Sequence, residues 1–143
     1  IIVTKSAVAL GQWSNIDHAK EILSTLFMQA GDPIVGRASD GTPQVLLGQT
    51  PTGYSTNPAE SALRFYTEFA NPSKTSYSWN KSLPEASKAF EAVDLAVYFG
   101  LASEYADIAS LSPNLHFAVA QMPQIEGNST RVTYAAMCEL IRH

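Results

Sequence analysis

Residues 95–99, Leu95-Ala96-Val97-Tyr98-Phe99, form an unbroken apolar run of strand length stopped by Gly100, and this feature narrows the fold most. A run without alternation has no polar face to offer water, so it predicts a strand buried on both sides. Beyond Gly100 the period changes. Residues 103–111 carry Tyr105, Ile108 and Ala109 at helical spacing and break before Pro113, and residues 115–122 read as a second strand ended by Pro123. Strand, helix and strand in succession place the chain in the α/β class.

Upstream, helical signals dominate. Residues 1–10 read as a short strand or extended entry. Ser14 or Asn15 is placed to cap a helix whose apolar positions Ile16, Ala19, Ile22, Leu23, Leu26, Phe27 and Ala30 share a face, with Gly31 and Pro33 to end it. Residues 31–57 hold five of the chain's glycines and three of its prolines and predict a long loop, with one short strand at the apolar run Val45-Leu46-Leu47. Asn57-Pro58-Ala59-Glu60 sets a capping residue before Pro at the first helical position, opening a helix with the stripe Ala59, Ala62, Leu63, Tyr66 and Phe69 that Asn71-Pro72 ends. A polar linker, 73–78, leads to Trp79 and Asn80; Pro84 opens a short helix through Phe90. Residues 124–130 form a polar turn, and 131–141 suit a strand or a helix equally. No internal repeat is present.

Composition excludes several functions. Nine basic against thirteen acidic residues give a net charge of -4, with no Lys or Arg cluster able to neutralise a phosphate backbone, so nucleic acid is not the expected partner. No run of about 18 apolar residues predicts a membrane span. The single Cys138 excludes an internal disulfide and a multi-cysteine metal site. Charged residues are 15% of the 143, below the about 25% usual for soluble domains, which predicts a surface partly covered by other protein. The chain opens on Ile1-Ile2-Val3 and stops at Leu140-Ile141-Arg142-His143, so a longer parent is expected.

Catalytic signals are thin. Asp17-His18 with Glu21 puts an imidazole and a carboxylate on neighbouring turns, a spacing a metal site can use, but there is no H-E-x-x-H, and His116 and His143 stand apart. Cys138 lies among Ala135, Ala136, Met137, Leu140 and Ile141, the neighbourhood of an inert thiol. Gly100-Leu101-Ala102-Ser103 is not a nucleophile elbow, and no glycine-rich phosphate loop exists. Asn128-Ser129-Thr130 fits a glycosylation sequon and also a plain turn. No cofactor and no metal are implied.

Residues 90–124 carry a family resemblance. Phe90-Glu91-Ala92-Val93-Asp94-Leu95-Ala96-Val97, then Tyr98-Phe99-Gly100, then Ser112-Pro113-Asn114-Leu115 continuing to Val119 and Pro123 resemble the order of helix, strand, glycine turn, helix and N-P-x-L phrase in the extracellular solute-binding family 1, the maltose-binding type. The opening 6–16 and the helix end Gln29-Ala30-Gly31 are similar to that family as well, so the resemblance runs from about residue 5 to 134. Two positions depart from it: Val93 stands where the family usually has Gly, and Asp94 where Lys is common.

The resemblance implies a helix-rich lobe of a type II periplasmic-binding-protein fold with a few short strands, one half of a two-lobed receptor that closes on its ligand by hinge motion. It implies a non-catalytic function, the binding of a small solute, sugar first, for import by an ABC transporter. It also implies permease subunits as partners, and a periplasmic or extracellular location at the membrane through the transporter or a lipid anchor. Matching phrases put ligand contacts at Trp13, Asn15, Trp79, Gly100 and Ser103, with a weaker candidate at Tyr134. Aromatic faces pack on a pyranose, amides and hydroxyls satisfy its hydroxyl groups, and a glycine turn offers backbone N–H groups. Three of them also have a plainer role: Trp13 as a staple for the first helix, Asn15 as its cap, Trp79 as a half-wet structural aromatic. A charged solute would look to Glu104 or Lys81. The rival readings are a helical module that docks a protein partner on an apolar face, and a small hydrolase using His18 with Glu21, or Cys138.

Overall fold

The computed structural model describes residues 4–50, 53, 55–127 and 131–133. Residues 1–3, the sequon Asn128-Ser129-Thr130, and Tyr134, Cys138 and His143 lie outside them, as does the part of the ambiguous segment 131–141 beyond residue 133. The elements run β1 (Ser6–Val8), α1 (Ala19–Ala30), β2 (Val35–Arg37), β3 (Pro43–Val45), α2 (Pro58–Glu68), α3 (Ala86–Glu91), β4 (Leu95–Val97), a single 3-10 turn (Ala102–Glu104) and α4 (Tyr105–Leu111). Helices with a few short strands agree with the α/β class at that general level.

Helix α1 packs on α2, and β1 pairs in parallel with β4, Ser6 opposite Leu95 and Val8 opposite Val97. Leu10, Ile16, Ile22, Tyr66, Trp79 and Leu95 are the larger side chains of one core, with Val8, Leu23, Phe69 and Phe90 at its margin. Burying such a side chain contributes roughly 1.5–3 kcal/mol, so this core outweighs any single surface contact. Tyr66 is 3% exposed and donates its hydroxyl to the Gln12 carbonyl at 2.6 Å. Burial pushes its phenol up to about 12.

Local sequence rules hold where partners are local. Asn57 Oδ1 accepts from the Ala59 N–H at 2.8 Å and from the Glu60 N–H at 3.4 Å, with Pro58 at the first helical position. This satisfies donors that a helix start otherwise leaves open. Glycine at position 31, with φ 95°, ends α1: its N–H donates to Met28 O and the next N–H, of Asp32, to Phe27 O. That pair of reversed bonds needs a left-handed residue just past the helix, which glycine adopts without steric penalty.

The same pair of bonds ends α3, where Val93 N–H donates to Phe90 O and Asp94 N–H to Ala89 O. Here Val93 occupies the left-handed position, with φ 62°, and a β-branched residue there is strained. Glycine is the residue that adopts this conformation most cheaply. Asp94 ties the adjoining backbone to β1 instead, its carbonyl accepting from Ser6 N–H and its carboxylate lying 3.6 Å from Lys5 Nζ.

Four expectations are corrected. Helix α1 begins at Ala19, and neither Ser14 nor Asn15 caps it: His18 precedes it in the left-handed region at φ 59°, which blocks propagation back to Ile16. The loop 31–57 contains two strands, β2 and β3, joined antiparallel with Val35 opposite Val45. Its turn is closed by Asp40 Oδ1, which accepts from Thr42 N–H and Oγ1. Strand β4 is not buried on both faces: only Leu95 is covered, while Val97 is 47% exposed. Residues 115–122 form no strand. Phe117 instead sets its ring 5.8 Å from Phe90 and 5.5 Å from Tyr105, and beyond it the buried Gln29 amide on α1 holds the Pro123 and Val132 carbonyls at 2.9 and 3.1 Å.

Both the strained valine and the buried phenol lend themselves to measurement. Val93→Gly removes left-handed strain at a 61% exposed site and raises unfolding free energy by about 1 kcal/mol, read as a higher urea midpoint at unchanged m-value. Because the Tyr66 phenol is raised in the folded state, the unfolded chain loses that proton first. The stability it contributes is complete below about pH 10 and is lost as pH rises through about 12. Tyr66→Phe removes that part of the alkaline slope.

Candidate functional site

The segment 13–18 is the centre of the polar architecture. Asn15, 9% exposed, donates its amide to the Asn80 and Leu83 carbonyls at 2.9 and 3.0 Å. Its backbone carbonyl accepts from Ala86 N–H at 3.1 Å, and Asp17 Oδ2 accepts from Ser87 N–H at 2.9 Å. Helix α3 has no side-chain cap of its own at Glu85. Its first donors are met by this segment, about seventy positions upstream, which does what a local capping residue does elsewhere. Asn15 is therefore a clamp on the 80–86 chain and does not cap α1.

The imidazole of His18, at the end of this segment, reaches the other sequence-predicted turn. Its Nε2 lies 2.9 Å from Glu104 Oε2. The same carboxylate accepts from Leu101 N–H at 2.5 Å and from Tyr98 O–H at 3.1 Å. Burial, then the carboxylates of Glu104, Asp17 and Glu91, push the Tyr98 phenol's pKa up, so this hydroxyl stays a donor. The imidazole's partner is thus Glu104 and not Glu21, which lies 3.6 Å from Lys20. The spacing behind the hydrolase reading is not used, and among the described residues no group of three His, Cys, Asp or Glu side chains is arranged to hold a metal.

The structure brings some candidate residues together and separates others. Gly100 and Ser103 are exposed on the turn that Glu104 braces, and His18 joins that turn to the segment bearing Trp13, which is 64% exposed. Trp79 stands apart, at 1% exposure in the core. Its polar neighbours are occupied: Ser78 Oγ donates to the Val8 carbonyl at 2.9 Å and Ser6 Oγ to the Ser78 carbonyl. The stretch that reads as a linker is stitched onto β1. Among the described residues the Trp79 indole N–H and Asn15 Oδ1 have no hydrogen-bond partner. Lys81 is exposed on the loop that Asn15 clamps.

Glu104 and Tyr98 form the part that sequence reasoning places least well. Glu104 stands three residues after Leu101 and returns to its N–H, one half of a capping box, so the signal is present as spacing. Two concavities lie elsewhere among the described residues. One, of about 800 Å³, is an apolar groove beside Met28, Ile34, Val35 and Val132; the other, of about 520 Å³, lies between β1 and residues 75–78. The braced turn is an open polar edge with an exposed aromatic on the adjoining segment. Its exposed Gly100 and Ser103 offer backbone and hydroxyl hydrogen-bonding groups.

Burial separates the two tryptophans experimentally. Trp79→Ala is expected to cost about 3–5 kcal/mol and Trp13→Ala less than about 0.5 kcal/mol, read as urea midpoints followed by circular dichroism. No protein-family model, curated protein or solved structure matches this chain.

Proposed function

We propose that the chain is a lobe of an extracytoplasmic solute-binding receptor that binds a small polar solute, sugar first, and delivers it to the permease subunits of an ABC importer without catalysis. The observation that carries this reading is the braced 100–103 turn joined through His18 to the segment bearing Trp13. An aromatic face, hydroxyl and backbone groups, and a rigid support are what recognition of a polyol requires. The open form of the edge also fits. A lobe that meets its solute only when a facing lobe closes has half a site and no enclosed cavity. The resemblance across residues 90–124 supplies the transport context, and with it a periplasmic or extracellular place at the membrane.

A second reading, a protein-docking module, is favoured by one feature: the cross-strand pair Val35 and Val45 is 62% and 71% exposed. Two apolar side chains facing water across a hairpin form the beginning of a docking face.

The test is a thermal-shift screen of the full-length protein against glucose, maltose, trehalose, cellobiose, amino acids and polyamines. A ligand at 100 times its Kd adds about 2.7 kcal/mol to native stability, so one saccharide class raises Tm by several degrees, and Trp13→Ala abolishes the rise while leaving the ligand-free Tm in place. A flat panel with folded protein sinks the receptor reading. Concentration-dependent self-association, or capture of a purified protein partner, lost in a Val35→Ser, Val45→Ser variant supports the docking module.

A further inference from the structure

The Glu104 carboxylate gathers three donors from three stretches of chain. His18 precedes α1, Tyr98 comes just after β4, and Leu101 belongs to the turn. A carboxylate accepts only, so the geometry requires the His18 proton on Nε2. Gly100 adds an independent constraint, because a Cβ built there would stand 2.6 Å from Tyr98 Cε1 and 2.9 Å from Glu104 Oε2. The Tyr98 ring and the Glu104 carboxylate therefore close directly over the Gly100 backbone. The turn's shape is set by what converges on Glu104 and only partly by its own residues.

We propose that Glu104 is the positioning residue of the ligand turn, holding the 100–103 backbone against α1 through His18, Tyr98 and Leu101 so that Gly100 and Ser103 meet a solute in one arrangement. This rests on the reading of that turn as the solute site.

The experiment uses the full-length protein with Glu104→Gln, Tyr98→Phe and Gly100→Ala variants, first without ligand. Nitrogen NMR of the wild-type imidazole is expected to show His18 in the Nε2–H form, and hydrogen exchange a protected Leu101 amide. Glu104→Gln is expected to lower Leu101 protection about ten-fold or more, the scale of losing bonds to a charged acceptor, and to disturb the imidazole signature, with α1 and α2 amides unchanged. Gly100→Ala displaces the carboxylate and has the same sign. Tyr98→Phe removes one donor only and gives an intermediate loss, which keeps the test decisive if Glu104→Gln folds poorly. An unchanged Leu101 amide and imidazole spectrum in Glu104→Gln overturn the proposal.

Binding is then measured with whichever of glucose, maltose, trehalose or cellobiose gave the largest thermal shift. Affinity is expected to fall about ten-fold in Glu104→Gln and to track Leu101 protection across the series. Wild-type affinity in a variant that has lost that protection also overturns it. A flat saccharide panel with the ligand-free signature intact overturns the receptor reading, and the ligand role of Glu104 with it. Saccharide binding that ignores Glu104 overturns the positioning role alone.

Discussion

The structure depends on one short segment that gives its hydrogen-bonding capacity to other parts of the chain. Residues 13–18 clamp the 80–86 chain through Asn15, cap α3 through Asn15 O and Asp17, and meet Glu104 through His18. Buried backbone donors without partners cost about 1–3 kcal/mol each, so a six-residue helix without a cap of its own depends on whatever reaches its first turn. The core beneath aligns these pieces: Ile16 and Ala19, on either side of the polar residues, are both buried. Apolar anchoring and polar bridging thus alternate within a few residues.

This division explains which features are legible in the sequence. The start of α2 and the end of α1 are legible because Asn57 and Gly31 act on neighbours two to four residues away. The start of α1 is not, because Asn15 has a capping residue's chemistry but spends it on carbonyls more than sixty positions distant. Trp79 misleads for the same reason: the flanking Ser78 looks solvated in sequence and is bonded to β1 in space. The run 95–99 is legible as a strand but not as an exposed one, since burial depends on which strands pair beyond it, and among the described residues only β1 does. Of the candidate site, the 100–103 turn is legible from Gly100. Its brace is not, because His18 and Glu104 lie 86 residues apart.

Two helix ends with the same hydrogen-bond pattern differ in how well their residues suit them. Gly31 fits the left-handed position that ends α1, whereas Val93 is forced into it at the end of α3. The forcing comes from outside α3. Lys5 Nζ donates to the Val93 carbonyl at 3.2 Å, and Ser6 N–H donates to the Asp94 carbonyl at 2.8 Å, which feeds the chain directly into the β1 pairing. Local strain is tolerated where long-range pairing over-determines the backbone.

The remote capping of α3 carries a consequence for the order of folding. A helix of six residues is too short to persist on its own, and its first donors wait for a segment that left the ribosome about seventy residues earlier. Closing a loop of that length costs entropy before any contact rewards it. Helix α1 holds its own end signal at Gly31 and α2 its own start signal at Asn57, and the two pack on each other, so they are suited to collapse first. The α3–β4–turn unit then docks onto the 13–18 segment in a later step, and the order of synthesis favours this, because the docking surface exists before the part that needs it.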